Sequence, residues 1–286
     1  NGGINVGQML CPTNENKLSE KYNDLLGVVN SSSGGFSCQI DHSGSMPRTN
    51  PDGSVQINIG RLILGTYPGS WDSPWGTTYS GALAGGSEDR RRAIEELVYK
   101  PGYNTNYATS WWLVRAGVKL TSDGNLVQVT GTNDLGAACP AASNKERTST
   151  VGPLNRRLVD NGAAPSSNVP LLADGAPGDI IEAILTHPIG DIASGSRLVE
   201  SFSDGPVLNT TMKPPTFAAG TTFGGATGWW NTWAKQTRQD YRDFAPVHGA
   251  MGAQHCNLLM ADGSVRTFAD ANKDGFLNDG FDPAVF

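Results

Sequence analysis

A chain of 286 residues, 38% hydrophobic and 17% charged, has the apolar material for a core and too little charge for a disordered polymer. Its 36 glycines and 17 prolines exclude a helical bundle and imply many turns and long loops. A net charge of −6 and a pI near 5.2 leave no concentrated basic face for nucleic acid.

The length suits one elaborated domain over residues 1–286, ending in a hairpin and loop over 256–286. No run of about 18 apolar residues occurs, so no membrane span is expected. The opening "NGGINVGQMLCP" lacks a start methionine and reads as a processed or truncated product. Cys11, Cys38, Cys139 and Cys256 form no C-x-x-C pair, which disfavours a zinc ribbon. An even cysteine count in a Gly/Asn/Ser/Thr-rich chain suits an oxidising compartment. Cys11–Cys38 is the favoured bridge because so short a loop closes at low entropic cost, and it leaves Cys139–Cys256. Buried free thiols are the alternative.

In chain order, "NKLSEKYNDLLG" (16–27) has helical spacing of Leu18, Tyr22, Leu25 and Leu26, with Gly27 as its stop. "SVQINIGRLILG" (54–65) alternates Val55, Ile57 and Ile59 and predicts a strand. Tyr67, Trp71, Trp75 and Tyr79 lie among Gly, Ser and Pro. They could stack on sugar rings, but packing of a long loop onto the body is the favoured reading.

Ser87 predicts the cap of a helix with Ala93, Ile94, Leu97 and Val98 on its apolar face. Arg90, Arg91 and Arg92 in that helix, flanked by Glu88, Asp89, Glu95 and Glu96, read as a solvated face with internal pairing. Segments 107–120 and 125–131 flank a hairpin signal at Asp123-Gly124. Residues 152–162 predict a short helix, 165–175 an extended segment, and 203–228 a long surface excursion. Last come a strand over 256–260, a turn at Asp262-Gly263 and a strand over 264–268.

The run "DANKDGFLNDGFD" (270–282) then gathers like charges that need something to hold them. Asp270, Asn272 and Asp274 occupy positions 1, 3 and 5 of a D-x-N-x-D-G calcium-loop start. Gly275 allows the sharp turn and Phe276 offers its carbonyl oxygen. Asn278 at position 9 is a direct or water-mediated ligand, and Asp279 and Asp282 are the remaining carboxylates. Position 12 is Phe281 rather than Glu, so the run is a short aspartate loop and not an EF-hand. The alternative is a polar turn with solvated carboxylates.

Other chemistry is sparse. There is no H-E-x-x-H, G-x-S-x-G, G-x-G-x-x-G or P-loop. His248 and His255, seven apart, could hold zinc with a distant carboxylate, but hydrogen-bonded structural histidines are the favoured reading. Asp240 and Asp243 are explained by pairing with Arg238 and Arg242 as well as by glycosidase roles.

The C-terminal "DFAPVHGAMGAQHCNLLMADGSVRTF" with "DANKDGFLNDGF" resembles the end of bacterial pseudopilin-like proteins. Segments 9–27, 103–115 and 165–172 resemble internal parts of the same family. The family's histidine best matches His248, with "AMGAQ" (250–254) as an insertion before the Asp-Gly turn. The resemblance implies an α+β pilin-like head: an antiparallel sheet, few helices, long loops and a C-terminal calcium loop. It also implies a leader and a long apolar helix, both missing here. Such a chain is expected to be a structural, non-enzymatic subunit of a pilus-like filament or secretion apparatus. It would be extracytoplasmic, stabilised by Ca2+ and disulfides, and would pair with copies of itself or related pseudopilins through the missing helix. That helix would be its only membrane contact. The rival expectations are a secreted glycan- or surface-binding module using Trp71, Trp75, Trp229, Trp230 and Trp233, and a secreted hydrolase around Asp240, Asp243 and His248.

Overall fold

The computed structural model describes residues 10–27, 48–49, 55–56, 59–65, 69–119, 150–178, 182–203, 205–208, 237–239, 241–273, 275 and 277. Strand β1 (Leu18–Ser19) leads into helix α1 (Lys21–Leu26). The expected helix therefore starts later than residue 16, because Leu18 and Ser19 pair in parallel with Leu198 and Val199. It stops at Gly27, whose φ of 70° suits glycine.

Strands β2 (Arg48–Thr49) and β3 (Val55–Gln56) pair with each other, and helix α2 (Ile59–Leu64) follows. The strand expected over 54–65 thus ends early. Ile59, Leu62 and Ile63 stand at helical spacing, and Leu62 and Ile63 are buried, so core packing overrides the alternation. A short hairpin joins β4 (Trp71–Asp72) to β5 (Thr78–Tyr79).

Helix α3 (Glu88–Ile94) begins where Ser87 accepts a hydrogen bond from the Arg90 N–H at 3.2 Å, as its sequence predicts, and runs on into a π-helical turn over Glu95–Tyr99. Arg90 corrects the expectation of a solvated arginine face. It is buried, and its guanidinium donates to the carbonyls of Leu25 (2.5 Å) and Leu83 (3.1 Å). A Cβ on Gly27 would lie 2.8 Å from that guanidinium, so glycine is needed there for space as well as for its backbone.

Strand β6 (Tyr107–Thr109) gives way to helix α4 (Trp111–Arg115), capped by Ser110, so segment 107–120 is not one strand. The Asp123-Gly124 hairpin and segment 125–131 lie outside the described residues. Helix α5 (Arg156–Asp160) forms within 152–162 as expected. Strands β7 (Pro170–Asp174), β8 (Leu198–Val199), β9 (Pro206–Leu208), β10 (Thr237–Gln239), β11 (His255–Met260) and β12 (Val265–Ala269) complete the described elements.

The main sheet is antiparallel, in the order β12-β11-β7-β6. With few short helices around it, the chain is α+β. Strand β11 alternates as its sequence predicts: Cys256, Leu258 and Met260 point into a core with Ala108, Ala173, Phe244 and Leu277. Each large apolar side chain so buried contributes about 1.5–3 kcal/mol. A second core gathers Leu18, Tyr22, Leu26, Ile94, Leu185, Ile189 and Leu198 under α1 and α3.

Polar groups tie the N-terminal segment to this sheet. Asn106, fully buried just before β6, accepts from the Cys11 N–H (2.8 Å) and donates to the carbonyls of Cys11 (2.8 Å) and Asn16 (3.1 Å). Asn14 donates to the carbonyls of Asn106 (3.2 Å) and Gly175 (2.9 Å). Residues 11–16 are thereby held across the ends of β6 and β7. Asn106→Ala strands three buried backbone groups and should cost roughly 3–6 kcal/mol in a denaturant titration. A loss below about 1 kcal/mol would show that the clamp is not structural.

A buried ionic group lies beside α1. The Lys21 ammonium is 2.6 Å from Glu20, 3.6 Å from Asp24 and 3.7 Å from Glu200. Burial, then a hydrogen bond with Glu20, pushes the Glu200 carboxyl well above the usual 4.5, against the pull of Lys21. A carboxyl raised on folding contributes stability below its unfolded value, and that contribution is lost as pH rises through the neutral range toward its folded value. Glu200→Gln should therefore raise the Tm at pH 8 and flatten its fall between pH 5 and 8. A lowered Tm at pH 8 would contradict this.

Candidate functional site

Three segments far apart in sequence converge at the end of β7. Asp174 closes that strand, opposite Tyr107 in register, and is only 1% exposed. His248 arrives on a tight hairpin. His248 and His255 exchange backbone hydrogen bonds (3.1 and 2.9 Å), and residues 250–254 lie in the loop between them. Gly249 has φ 90°, and a Cβ there would lie 2.5 Å from the Ala253 carbonyl oxygen, so that hairpin needs glycine. Cys11 arrives on the asparagine-clamped segment.

The His248 Nε2 lies 2.9 Å from Asp174 Oδ2 and 3.9 Å from Cys11 Sγ. The second carboxylate oxygen, Oδ1, is buried without a hydrogen-bond partner among the described residues. The His255 ring stacks on that of His248 at 5.7 Å, and 24% of the His248 side chain remains open to solvent.

The electrostatics keep the sulfur protonated. Burial, with the Asp174 carboxylate close by, pushes the Cys11 thiol up. Burial, with the charge of Asp174 next, pushes the neighbouring Cys256 thiol up to about 12. Burial, then the proximity of Cys11 and Asp174, also raises Tyr107. A reactive cysteine needs a lowered pKa and a base of its own. Here one nitrogen, Nε2, faces both the carboxylate and the sulfur. A catalytic relay uses the two ring nitrogens separately. One sulfur, one imidazole nitrogen and one carboxylate oxygen thus lie within 4.8 Å of one another.

The sites expected from sequence are only partly joined to this one. Of the calcium-loop residues, Asp270 and Asn272 are described, and Asp274, Phe276, Asn278, Asp279 and Asp282 lie outside the described residues. His248 is hydrogen-bonded, as favoured, and the distant carboxylate beside it is Asp174. The third converging group is Cys11 rather than His255. Sequence reasoning missed Asp174 and the role of Cys11. The one signal was an aspartate ending the apolar run "VPLLAD" (169–174).

Cys11 and Cys256 are buried free thiols, while Cys38 and Cys139 lie outside the described residues. Trp71, Trp75 and Tyr79 pack on one another and on Leu62, Leu83 and Ala93, so these rings secure a loop to the body, as favoured. Tyr67, Trp229, Trp230, Trp233 and Asp240 lie outside the described residues.

Comparison with known families, with curated proteins and with solved structures finds no match to this chain.

The protonated thiols give a direct expectation. Iodoacetamide at pH 7.5 should label Cys11 and Cys256 of the folded, reduced protein at least about tenfold more slowly than after unfolding, by peptide mass mapping. Labelling of Cys11 at the unfolded rate would show a thiolate there.

Proposed function

We propose that this chain is the globular head of a pseudopilin-like structural subunit. In this reading it is non-enzymatic and extracytoplasmic, and it serves a pilus-like filament or secretion apparatus. Ca2+ held by the C-terminal loop stabilises it; the expected Cys11–Cys38 and Cys139–Cys256 bridges do not contribute, because Cys11 and Cys256 are free thiols. Copies of the chain or related pseudopilins pair through an apolar N-terminal helix that the 286 residues do not include.

The observation that carries this reading is the shape of the chain after β12. Asp270 is 6% exposed, and its Oδ1 and Oδ2 accept from the N–H groups of Lys273 (2.7 Å) and Gly275 (2.9 Å). Lys273 and Gly275 both have positive φ, 65° and 87°, which curls the backbone around the carboxylate. Such a turn suits the start of a D-x-N-x-D-G loop, and each oxygen keeps a lone pair for a cation. The loop is pinned at both ends: the Asp270 N–H donates to the Gln254 carbonyl (3.0 Å), and Leu277 packs in the main core.

Asp270, Asn272, Asp274, the Phe276 carbonyl, Asn278, Asp279 and Asp282 fit the oxygen donors calcium takes. The ion would fasten the tail to the last hairpin and stabilise only the folded state. The α+β architecture with an antiparallel sheet is of the kind the resemblance implies.

A calcium chelator should lower the Tm by several degrees, calcium should restore it, and Asp274→Ala should abolish the response. An unchanged Tm in wild type would remove calcium from the account. The head alone should be largely monomeric, and light scattering from filaments formed by this chain would contradict assembly through an N-terminal helix.

A further inference from the structure

We propose that Cys11, Asp174 and His248 form a binding site for a thiophilic divalent cation of the zinc type. This site is separate from the oxygen-lined loop and does not rest on the pseudopilin reading. One sulfur, one imidazole nitrogen and one carboxylate oxygen lie within 4.8 Å of one another. Zinc bonds of about 2.0–2.3 Å in a tetrahedron set ligand atoms roughly 3–4 Å apart, so a shift of about 1 Å closes the site.

Two further observations point to a cation. Asp174 is 1% exposed, and among the described residues its Oδ1 has no hydrogen-bond partner, a state costly for a buried carboxylate. His248 also offers the same nitrogen to both other groups, the convergence that coordination needs and a proton relay does not.

The donor set selects the ion. Thiolate with imidazole and carboxylate favours zinc over calcium or magnesium, which take oxygen. Binding balances without any redox partner. The thiol proton leaves to water, the imidazole carries its remaining proton on Nδ1, and the metal accepts the freed lone pairs on Sγ and Nε2 with one from Asp174. The asparagine clamp holds the Cys11 backbone. The solvent-open side of His248 leaves a fourth position for water. Coordination and the Cys11–Cys38 bridge expected from the sequence exclude each other.

The test is a Co2+ titration of the reduced, metal-free chain with calcium saturating. One equivalent should produce a thiolate-to-cobalt charge-transfer band and d–d bands of tetrahedral intensity, displaced by one equivalent of Zn2+. His248→Gln, whose side chain is partly solvent-exposed and so tolerates change, and Cys11→Ser should each weaken cobalt affinity at least tenfold and remove the charge-transfer band. Circular dichroism checks that each variant is folded. Asp274→Ala should leave the band unchanged, which separates this site from the loop. A folded wild type without a thiolate band, or a band that survives Cys11→Ser and is lost in Cys256→Ser, overturns the proposal.

Discussion

A carboxylate buried at the end of the central strand is the constraint around which this molecule is arranged. Removing an aspartate from water costs several kcal/mol unless it is paired and hydrogen-bonded. Asp174 is so removed, and three separate pieces of chain surround it. A histidine comes on a glycine-dependent hairpin, a cysteine on a segment clamped by asparagines, and a tyrosine from the neighbouring strand. None of these pieces packs mainly by apolar contact. Each is placed by backbone hydrogen bonds that specific side chains or glycines make possible. A cation at this point would answer the unpartnered oxygen and give the convergence a reason.

The hairpin over residues 248–255 links the two cation-binding regions of this account. Its first residue faces Asp174 and Cys11. Its far end gives the Gln254 carbonyl to the Asp270 N–H, and His255 pairs with Ala269 at the foot of the loop. Below both lies one core, in which Cys256 and Leu258 meet Leu277 from the loop. On the two proposals the regions would take different ions because their donors differ: sulfur and nitrogen at one, oxygen at the other. Filling both would tie the first segment, the central strand and the tail to the same sheet.

What could be read from the sequence follows from how local each signal is. The β11–β12 hairpin was legible because alternation and an Asp-Gly turn lie within about 15 residues of each other. The Ser87 cap and the Gly27 stop were legible for the same reason. The strand expected over 54–65 ends early, because Ile59, the last of the alternating positions, also begins a helical stripe that continues through Leu62 and Ile63. Arg90 was misjudged because its partners are carbonyls, which composition does not display. The Cys11–His248 approach spans 237 positions and the His248–Asp174 contact 74, so no spacing rule could reveal them. His248 was in view from the sequence; Asp174 and Cys11 beside it were not.

Anomalous diffraction on crystals grown with calcium and one equivalent of zinc tests the central claim most directly. Above the zinc edge, the account requires a peak bonded to Cys11 Sγ, His248 Nε2 and an Asp174 oxygen, with that signal vanishing just below the edge. A map with the imidazole still hydrogen-bonded directly to Asp174, and zinc density elsewhere or nowhere, would contradict it.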